Sequence, residues 1–382
     1  MLGINSNINS LVAQQNLNGS QSALSQAITR LSSGKRINSA ADDAAGLAIS
    51  TRMQTQINGL NQGVSNANDG VSMIQTASSA LSSLTSSLQR IRQLAVQAST
   101  GSLSSSDQAA LQKEVSAQIA EVNRIASQTT YNGTNILDGS AGAVTFQVGA
   151  NVGQTISLDL SQSMSAAKIG GGLVQTGQTV GTIAVSLDST GTYTSTGATI
   201  TSVNVLSDGK GGYTFTDQNN QAISSAAVAN VFSAGTAAGS GTAITNLTLN
   251  ATLATAMGAT ASGVAAASIA QINAINNPPT VSGLDISTVT GANEAMVSID
   301  NALQTVNTLQ AALGAAQNRF TAISTSQQAE STDLSSAQSQ ITDANFAQET
   351  ANLSKAQVLQ QAGISVLAQA NSNPQQVLKL LQ

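Results

Sequence analysis

The sequence contains no cysteine, no histidine and no tryptophan. Without thiols there are no disulfides, thiolate metal sites or cysteine nucleophiles. Without imidazole the chain lacks the commonest general base and metal ligand, and a zinc-protease insert built on an H-E-x-x-H helix is excluded. Charged residues make up 8% of the 382 positions, against roughly a quarter in ordinary soluble domains. Aromatics are 2%, so few large rings are at hand to anchor compact cores. The formal net charge of −5 leaves no basic footprint for nucleic acid. Arginine stands at positions 30, 36, 52, 90, 92, 124 and 319, and the 194 residues between the last two contain none. The middle is therefore chemically unlike the ends. No continuous apolar run reaches the ~18 residues that read as a membrane span. The start, MLGINSNINSLVAQQ, has neither the positive segment nor the apolar run of a cleaved secretory signal, so an extracellular destination calls for another export route.

What the chain does contain is Ala, Ser, Gln, Asn, Thr and Gly, arranged on a helical period. Between Met53 and Ala95, apolar residues recur at Met53, Ile57, Leu60, Val64, Ala67, Val71 and Ile74, then at Leu81, Leu84, Leu88, Ile91 and Ala95. Ser78 fills the one polar slot, and the phase slips between Leu81 and Leu84. Steps of 4 and 3 give a helical seam, because a strand would alternate at period 2. Some 43 residues at about 1.5 Å each make a rod of roughly 65 Å, which needs a second rod beside it.

Before it, residues 5–33 form a first helix, with Ile4, Ile8, Leu11 and Val12 on one stripe and Leu17, Leu24, Ala27, Ile28 and Leu31 on a drifted one. Gly34 supplies its C-cap, and Lys35 and Arg36 suit the negative end of its dipole. Asp42 and Asp43 precede the long helix, where acids favour the positive end; their adjacency also admits a paired-carboxylate reading. After Ala98, the capping-box spacing of Ser105 and Gln108, with Asp107 in the first turn, opens a helix that runs to about Gln128. Asn132-Gly133 and the alternation Val144, Phe146, Val148 read as a turn and short strands. The Gly-, Thr- and Ser-rich middle, about 177–285, shows alternating runs at Thr182–Leu187, Ala198–Leu206 and Tyr213–Thr216, turns at Asp208-Gly209 and Lys210-Gly211, and an Ala-rich helical stretch at 261–275. From Gly291 the helical period returns through Met296, Ile299, Leu303, Val306, Leu309, Leu313, Ala316, Phe320 and Ile323 to Ile341. A last helix spans Phe346 to Leu381.

The order is short rod, long rod, β insertion, long rod, short rod. The expected fold is mainly α with a β-rich inserted domain, as an elongated antiparallel helical coiled-coil or bundle of N- and C-terminal segments. Three layers follow: 1–44 with 343–382, then 45–176 with 286–342, then 177–285. Coiled coils normally carry Glu and Lys beside the seam, whereas here the flanks are Gln, Ser, Asn and Thr, and residues 1–29 carry no charge at all. Such a terminal pair buries too little to hold by itself. It fits a segment that neighbouring copies order on assembly, so the chain is expected to polymerise with its terminal helices innermost.

LGINSNINSLVAQQNL, LSSGKRINSAADDAAGLAIS, NRIASQTTYNGTNIL, FQVGANVGQTI and the ending FAQETANLSKAQVLQQAGISVLAQANSNPQQVLKLLQ resemble bacterial flagellin over about 1–176 and 286–382. The resemblance implies an extracellular helical filament for swimming motility. Its subunits would be exported unfolded by the flagellar type III apparatus, with an export chaperone holding the C-terminal helix. Filament cap and hook-junction proteins would be further partners, and neither nucleic acid nor membrane would. It implies no enzymatic activity, cofactor or metal. It assigns terminal-helix assembly to Ile4, Ile8, Leu11, Leu359, Val366, Leu378 and Leu381. It matches Arg90, Leu94 and Glu114 to a surface that contacts a host Toll-like receptor and helps neighbouring subunits pack. Gln93 stands where many receptor-recognised members carry an acid. From the residues alone, the same three also fit a solvated Arg, a seam-flanking Leu and an ordinary helix Glu. A minor axial protein of the hook–filament junction is the alternative to a filament subunit.

Overall fold

A computed structural model describes residues 7–234 and 247–380, with side chains for 7–233 and 247–372. The fold is mostly helical, with a strand-containing middle. The elements are α1 (Ile8–Ser33), α2 (Ala44–Ala98), α3 (Ser105–Gln128), β1 (Thr130–Tyr131), β2 (Thr134–Asn135), β3 (Gly142–Gln147), β4 (Thr155–Leu160), β5 (Thr179–Leu187), β6 (Ile200–Ser207), β7 (Tyr213–Asp217), α4 (Ser225–Val231), β8 (Phe232–Ala234), β9 (Leu247–Leu249), α5 (Ala251–Met257), α6 (Ala259–Ile275), α7 (Val289–Thr342) and α8 (Phe346–Leu380). Among the described residues no helix is long and apolar enough to cross a membrane.

The chain divides into two compact units. The first comprises Met1–Asn68, Gln147–Thr155 and Thr321–Gln382. In it α1 and α8 run antiparallel: Asn7 Nδ2 donates to the Ala370 carbonyl at 2.8 Å, Gln360 to Gln21 at 2.6 Å, and Arg30 to Glu349 at 3.2 Å. Gly34 ends α1 with φ 70°, the left-handed conformation a C-cap glycine supplies. Arg36 serves a different helix from the one beside it. Its guanidinium donates to the Ile341 carbonyl at 2.6 Å and its amide to Thr342 at 2.6 Å, so it caps the C-terminus of α7. With Ala344 N donating to Gly34 O at 2.9 Å, the α1–α2 and α7–α8 linkers are stitched together.

The start of α2 and the end of α7 also lie antiparallel, joined by Gln338 to Ser50 O at 3.1 Å and Ser331 to Asn61 at 3.0 Å. The turn 147–155 lies directly on α2. Glycine is required there, since a Cβ at Gly63 would strike the Val148 carbonyl and one at Gly59 would meet Ala150 at 2.9 Å.

The second unit comprises Asp69–Phe146 and Ile156–Phe320. Its seam is the expected one, with Ile74, Leu81, Leu84, Leu88, Ile91 and Ala95 fully buried. From Leu81 the buried stripe widens to include Ser87, Leu94 and Ala98, because α2 has neighbours on two sides here. Arg92 reaches Asp300 of α7 at 2.7 Å, and Gln108 of α3 reaches the Ala98 carbonyl at 3.3 Å. Phe320 packs edge-on to Phe146 with centroids 5.3 Å apart, and a Cβ at Gly70 would come within 2.6 Å of its ring.

The N-cap of α3 is Ser104, one residue before the expected Ser105. Asp107 closes a capping box with Ser104, and a carboxylate is the stronger acceptor for that return bond than Gln108. Asn132 and Gly133, at φ 48° and 79°, form the primed turn of the β1–β2 hairpin. Strands β5, β6 and β7 make an antiparallel meander, and α6 packs on it where Gly181 leaves room for Ile272. Their inward residues form one core with Val231, Phe232, Leu253 and Ile269.

Candidate functional site

The α1–α8 pair leaves several large aliphatic side chains on the outside, while Leu17, Leu24, Leu31, Leu353 and Leu367 are half-buried between the helices. Positions 10, 13, 17, 20, 24, 27 and 31 of α1 and 349, 353, 356, 360, 363, 367 and 370 of α8 are buried or half-buried. Both sets step by 3 and 4, the spacing of a coiled-coil seam. The fully covered apolar members are only Ala13, Ala27, Ala356 and Ala370, each worth roughly one methyl, ~0.8 kcal/mol. Gly363 lets Leu17 approach closely. Outward stand Ile8, Leu11 (70% exposed), Val12 and Ile28, with Val358, Leu359, Ile364 and Val366 (59% exposed) on α8. Ile8, Leu11 and Val12 share one helix face, as do Leu359, Ala362 and Val366.

Single exposed aliphatics are ordinary, but contiguous ones on a sparsely charged helix pair mark an interaction surface. Arg30 and Glu349 form an ion pair across the seam, and the Glu349 side chain is only 9% exposed. Ile8, Leu11, Leu359 and Val366 thus lie on this outer face. Ile4 and Leu381 fall outside the described residues, as do the side chains of Val377, Leu378 and Leu380.

On the second unit, Arg90 donates from Nε to Glu114 at 2.8 Å and from Nη1 to Gln93 at 3.4 Å. Both partners of the Arg90–Glu114 pair are well exposed, so their mutual attraction adds little to stability. Leu94 is not beside them on the surface. It is 1% exposed, part of the widened seam, and its role is to hold the helix that displays Arg90. Arg92 is tied to Asp300, and that hydrogen bond, with the carboxylate's charge, raises the guanidinium pKa further.

Along α2, Ser65, Asp69, Ser72, Ser83, Ser86, Arg90 and Gln97 are all exposed. The hydroxyls of Ser65, Ser83 and Ser86 donate to carbonyls four residues back, which makes the serines of this face cheap to desolvate, with Asp69 and Arg90 as its charges.

The adjacent acids do not act as a pair. Asp43 caps α2, accepting from Gly46 N at 2.9 Å. Asp42 turns the other way and accepts from the Ser39 hydroxyl and amide and from Asn38 N, bonds that hold its carboxyl below the usual range. Among the described residues no group of three acids is placed to hold a metal.

Sequence reasoning placed Leu17, Leu24, Ala27 and Leu31 on one stripe of α1, and all four lie in its seam, whereas Ile28, put on the same stripe, is exposed; it missed the polar and small seam members Ser10, Ser20, Gln360 and Gly363. It also missed Arg30–Glu349, a pair 319 positions apart in sequence.

Three family models match the chain: the bacterial flagellin N-terminal helical region over 4–142, the flagellin D2 domain over 172–275 and the bacterial flagellin C-terminal helical region over 296–381. Flagellin B of Vibrio cholerae serotype O1 is 37% identical over 384 residues, covering all of this chain and 99% of its own. The B-type flagellin of Pseudomonas aeruginosa is 36% identical over 491 aligned positions, with both chains covered in full. Among solved structures, FliC from Burkholderia pseudomallei shares 67% identity at a TM-score of 0.59, covering 65% of this chain and 99% of that one.

Proposed function

The chain belongs to the bacterial flagellin family, the non-enzymatic structural subunits of the flagellar filament, and we propose that it enters the filament through the outer face of its terminal helix pair. The observation that carries this is the thin cover of α1 and α8: the seam leucines Leu17, Leu24, Leu31, Leu353 and Leu367 are only half-buried, and Ile8, Leu11, Ile28, Val358, Leu359 and Val366 face out. A self-sufficient pair would bury its seam leucines fully and keep such aliphatics off its outer face. Neighbouring copies supply the cover these residues lack, and with Lys355 the one charged side chain exposed on the described part of α8, like-charge repulsion between identical faces is small.

In this reading residues 1–44 with 343–382 form the innermost layer, 45–176 with 286–342 the next, and 177–285 the outermost. The family resemblance assigns Ile4, Leu378 and Leu381, which lie outside the described side chains, to the same assembly role. The serine-rich exposed face of α2, with Arg90 and Glu114 at one end and Leu94 beneath, meets the adjacent copy. The same patch is the proposed contact for a host Toll-like receptor. Export unfolded through the flagellar type III apparatus fits a terminal pair with so little buried between its helices. A chaperone on about 345–382 would cover the apolar face of α8 beforehand, and cap and junction proteins would meet the same helices at the two ends of the polymer. The filament would lie outside the cell.

Electron micrographs of seeded monomer test the proposal. Long filaments are expected, and persistent monomer under seeding would refute it.

A further inference from the structure

Between the turn that follows β5 and the helices α4 and α5 lies a cavity of about 270 Å³. It is lined by Thr192, Tyr193, Asn230, Asn250, Thr252 and the buried Leu253, and among the described residues no charged side chain lines it. We infer that this cavity binds a neutral sugar ring.

The wall is built rigidly. Asp188 Oδ1 accepts from Thr190 N at 2.8 Å, the Thr190 hydroxyl at 2.7 Å and Thr192 N at 2.9 Å. Asn230 Nδ2 donates to the Thr190 carbonyl at 3.2 Å, tying the turn to α4. Gly191, at φ 82°, is pressed so closely on Ala227 that a Cβ there would lie 2.5 Å from its Cα. The Tyr193 ring is half-buried against the core of the β5–β7 sheet, which fixes one aromatic wall. Asn250 is fully engaged, donating to the Ala229 carbonyl and accepting from Thr252 N.

Three of the lining side chains keep hydrogen-bonding capacity that no described contact uses: the Tyr193 hydroxyl, the Asn230 amide oxygen and the Thr252 hydroxyl. Together they offer donors and acceptors but no charge. The nearest acid, Asp188, spends its carboxylate inside the turn. A ligand for such a site needs several hydroxyls, an apolar face for the aromatic ring and no net charge. A pyranose has all three, and the volume suits a single ring better than a drug-sized ligand, which takes roughly 300–1,000 Å³.

The test is saturation-transfer NMR on the full-length protein with glucose, galactose and N-acetylglucosamine, and with glucose 6-phosphate as the charged control. Transfer to at least one neutral sugar is expected, with much less to the phosphate. Thr252→Val and Tyr193→Phe remove one hydroxyl each while keeping shape, and each should weaken binding roughly fivefold, with circular dichroism unchanged. No transfer to any neutral sugar would overturn the assignment, as would equal transfer to the phosphate or binding indifferent to both variants. The measurement uses monomer, so it stands or falls apart from filament formation.

Discussion

Replacing Leu11 by alanine separates assembly from folding. Full burial of a leucine is worth roughly 1.5–3 kcal/mol, and 70% of this residue is exposed in the subunit. About 1–2 kcal/mol of apolar burial therefore remains to be gained from a neighbouring copy. At 1.4 kcal/mol per factor of ten, Leu11→Ala should raise the critical concentration for elongation roughly 5–30-fold. The subunit itself should lose no more than about 0.5 kcal/mol, the range of ordinary surface substitutions. The assay is sedimentation of seeded reactions, with unpolymerised protein measured in the supernatant, beside a thermal melt of monomer. An unchanged critical concentration would refute the outward role of this face. A large fall in monomer stability would place Leu11 in the subunit's own core.

Other expectations concern single contacts. Phe320→Ala removes a fully buried ring and its edge-on contact with Phe146, and should cost about 3–5 kcal/mol in denaturant unfolding. Gly63→Ala forces a methyl against the Val148 carbonyl, so amide exchange should quicken in 147–155 while the β5–β7 sheet is unaffected. Burial pushes the Tyr213 hydroxyl, which donates to Asn273 Oδ1 at 3.2 Å, from 10.0 up to about 12 despite the nearby Asn276 side chain. Since the fold favours the protonated form, this contribution is complete below pH 10 and lost as pH climbs toward 12. Alkaline loosening of the β5–β7 domain should follow, and Tyr213→Phe should remove that component. Asp42 shows the opposite sign. Its carboxylate is held below 3.8, chiefly by the Ser39 hydroxyl, so its bonds to the α1–α2 linker persist at neutral pH and fail as pH falls below about 4; Asp42→Asn should abolish that acid step in linker exchange.

Much of this fold was legible because helices announce themselves by period. Ile57, Leu60, Ala67, Ile74, Leu81, Leu84, Leu88, Ile91 and Ala95 are all buried as their spacing implied, and Gly34, Asp43 and Asn132-Gly133 do what their chemistry suggests. Legibility failed where a residue answers to something distant in sequence. Arg36 follows α1 but caps α7, which no local rule could indicate. Leu94 sits one step off a single-stripe seam, and only the presence of both α3 and α7 widens that stripe enough to bury it. The seam of α1 was legible in part, as the stripe of Leu17, Leu24, Ala27 and Leu31; the rest of the α1 and α8 seams was hidden because Ser10, Ser20, Gln360 and Gly363 occupy positions where apolar residues are sought, while the equally conspicuous Ile8, Leu11, Leu359 and Val366 face out. The cavity beside Tyr193 lies where turn, α4 and α5 converge from separate stretches, and nothing in their spacing signals it.

Hydrogen exchange in α1 and α8, monomer against filament, tests the terminal pair most directly. Amides in 8–33 and 346–372 should exchange quickly in the monomer, where little but alanine methyls is fully buried between the helices, and should become strongly protected on assembly. Equal protection in both states would contradict the conclusion that neighbouring copies complete this pair.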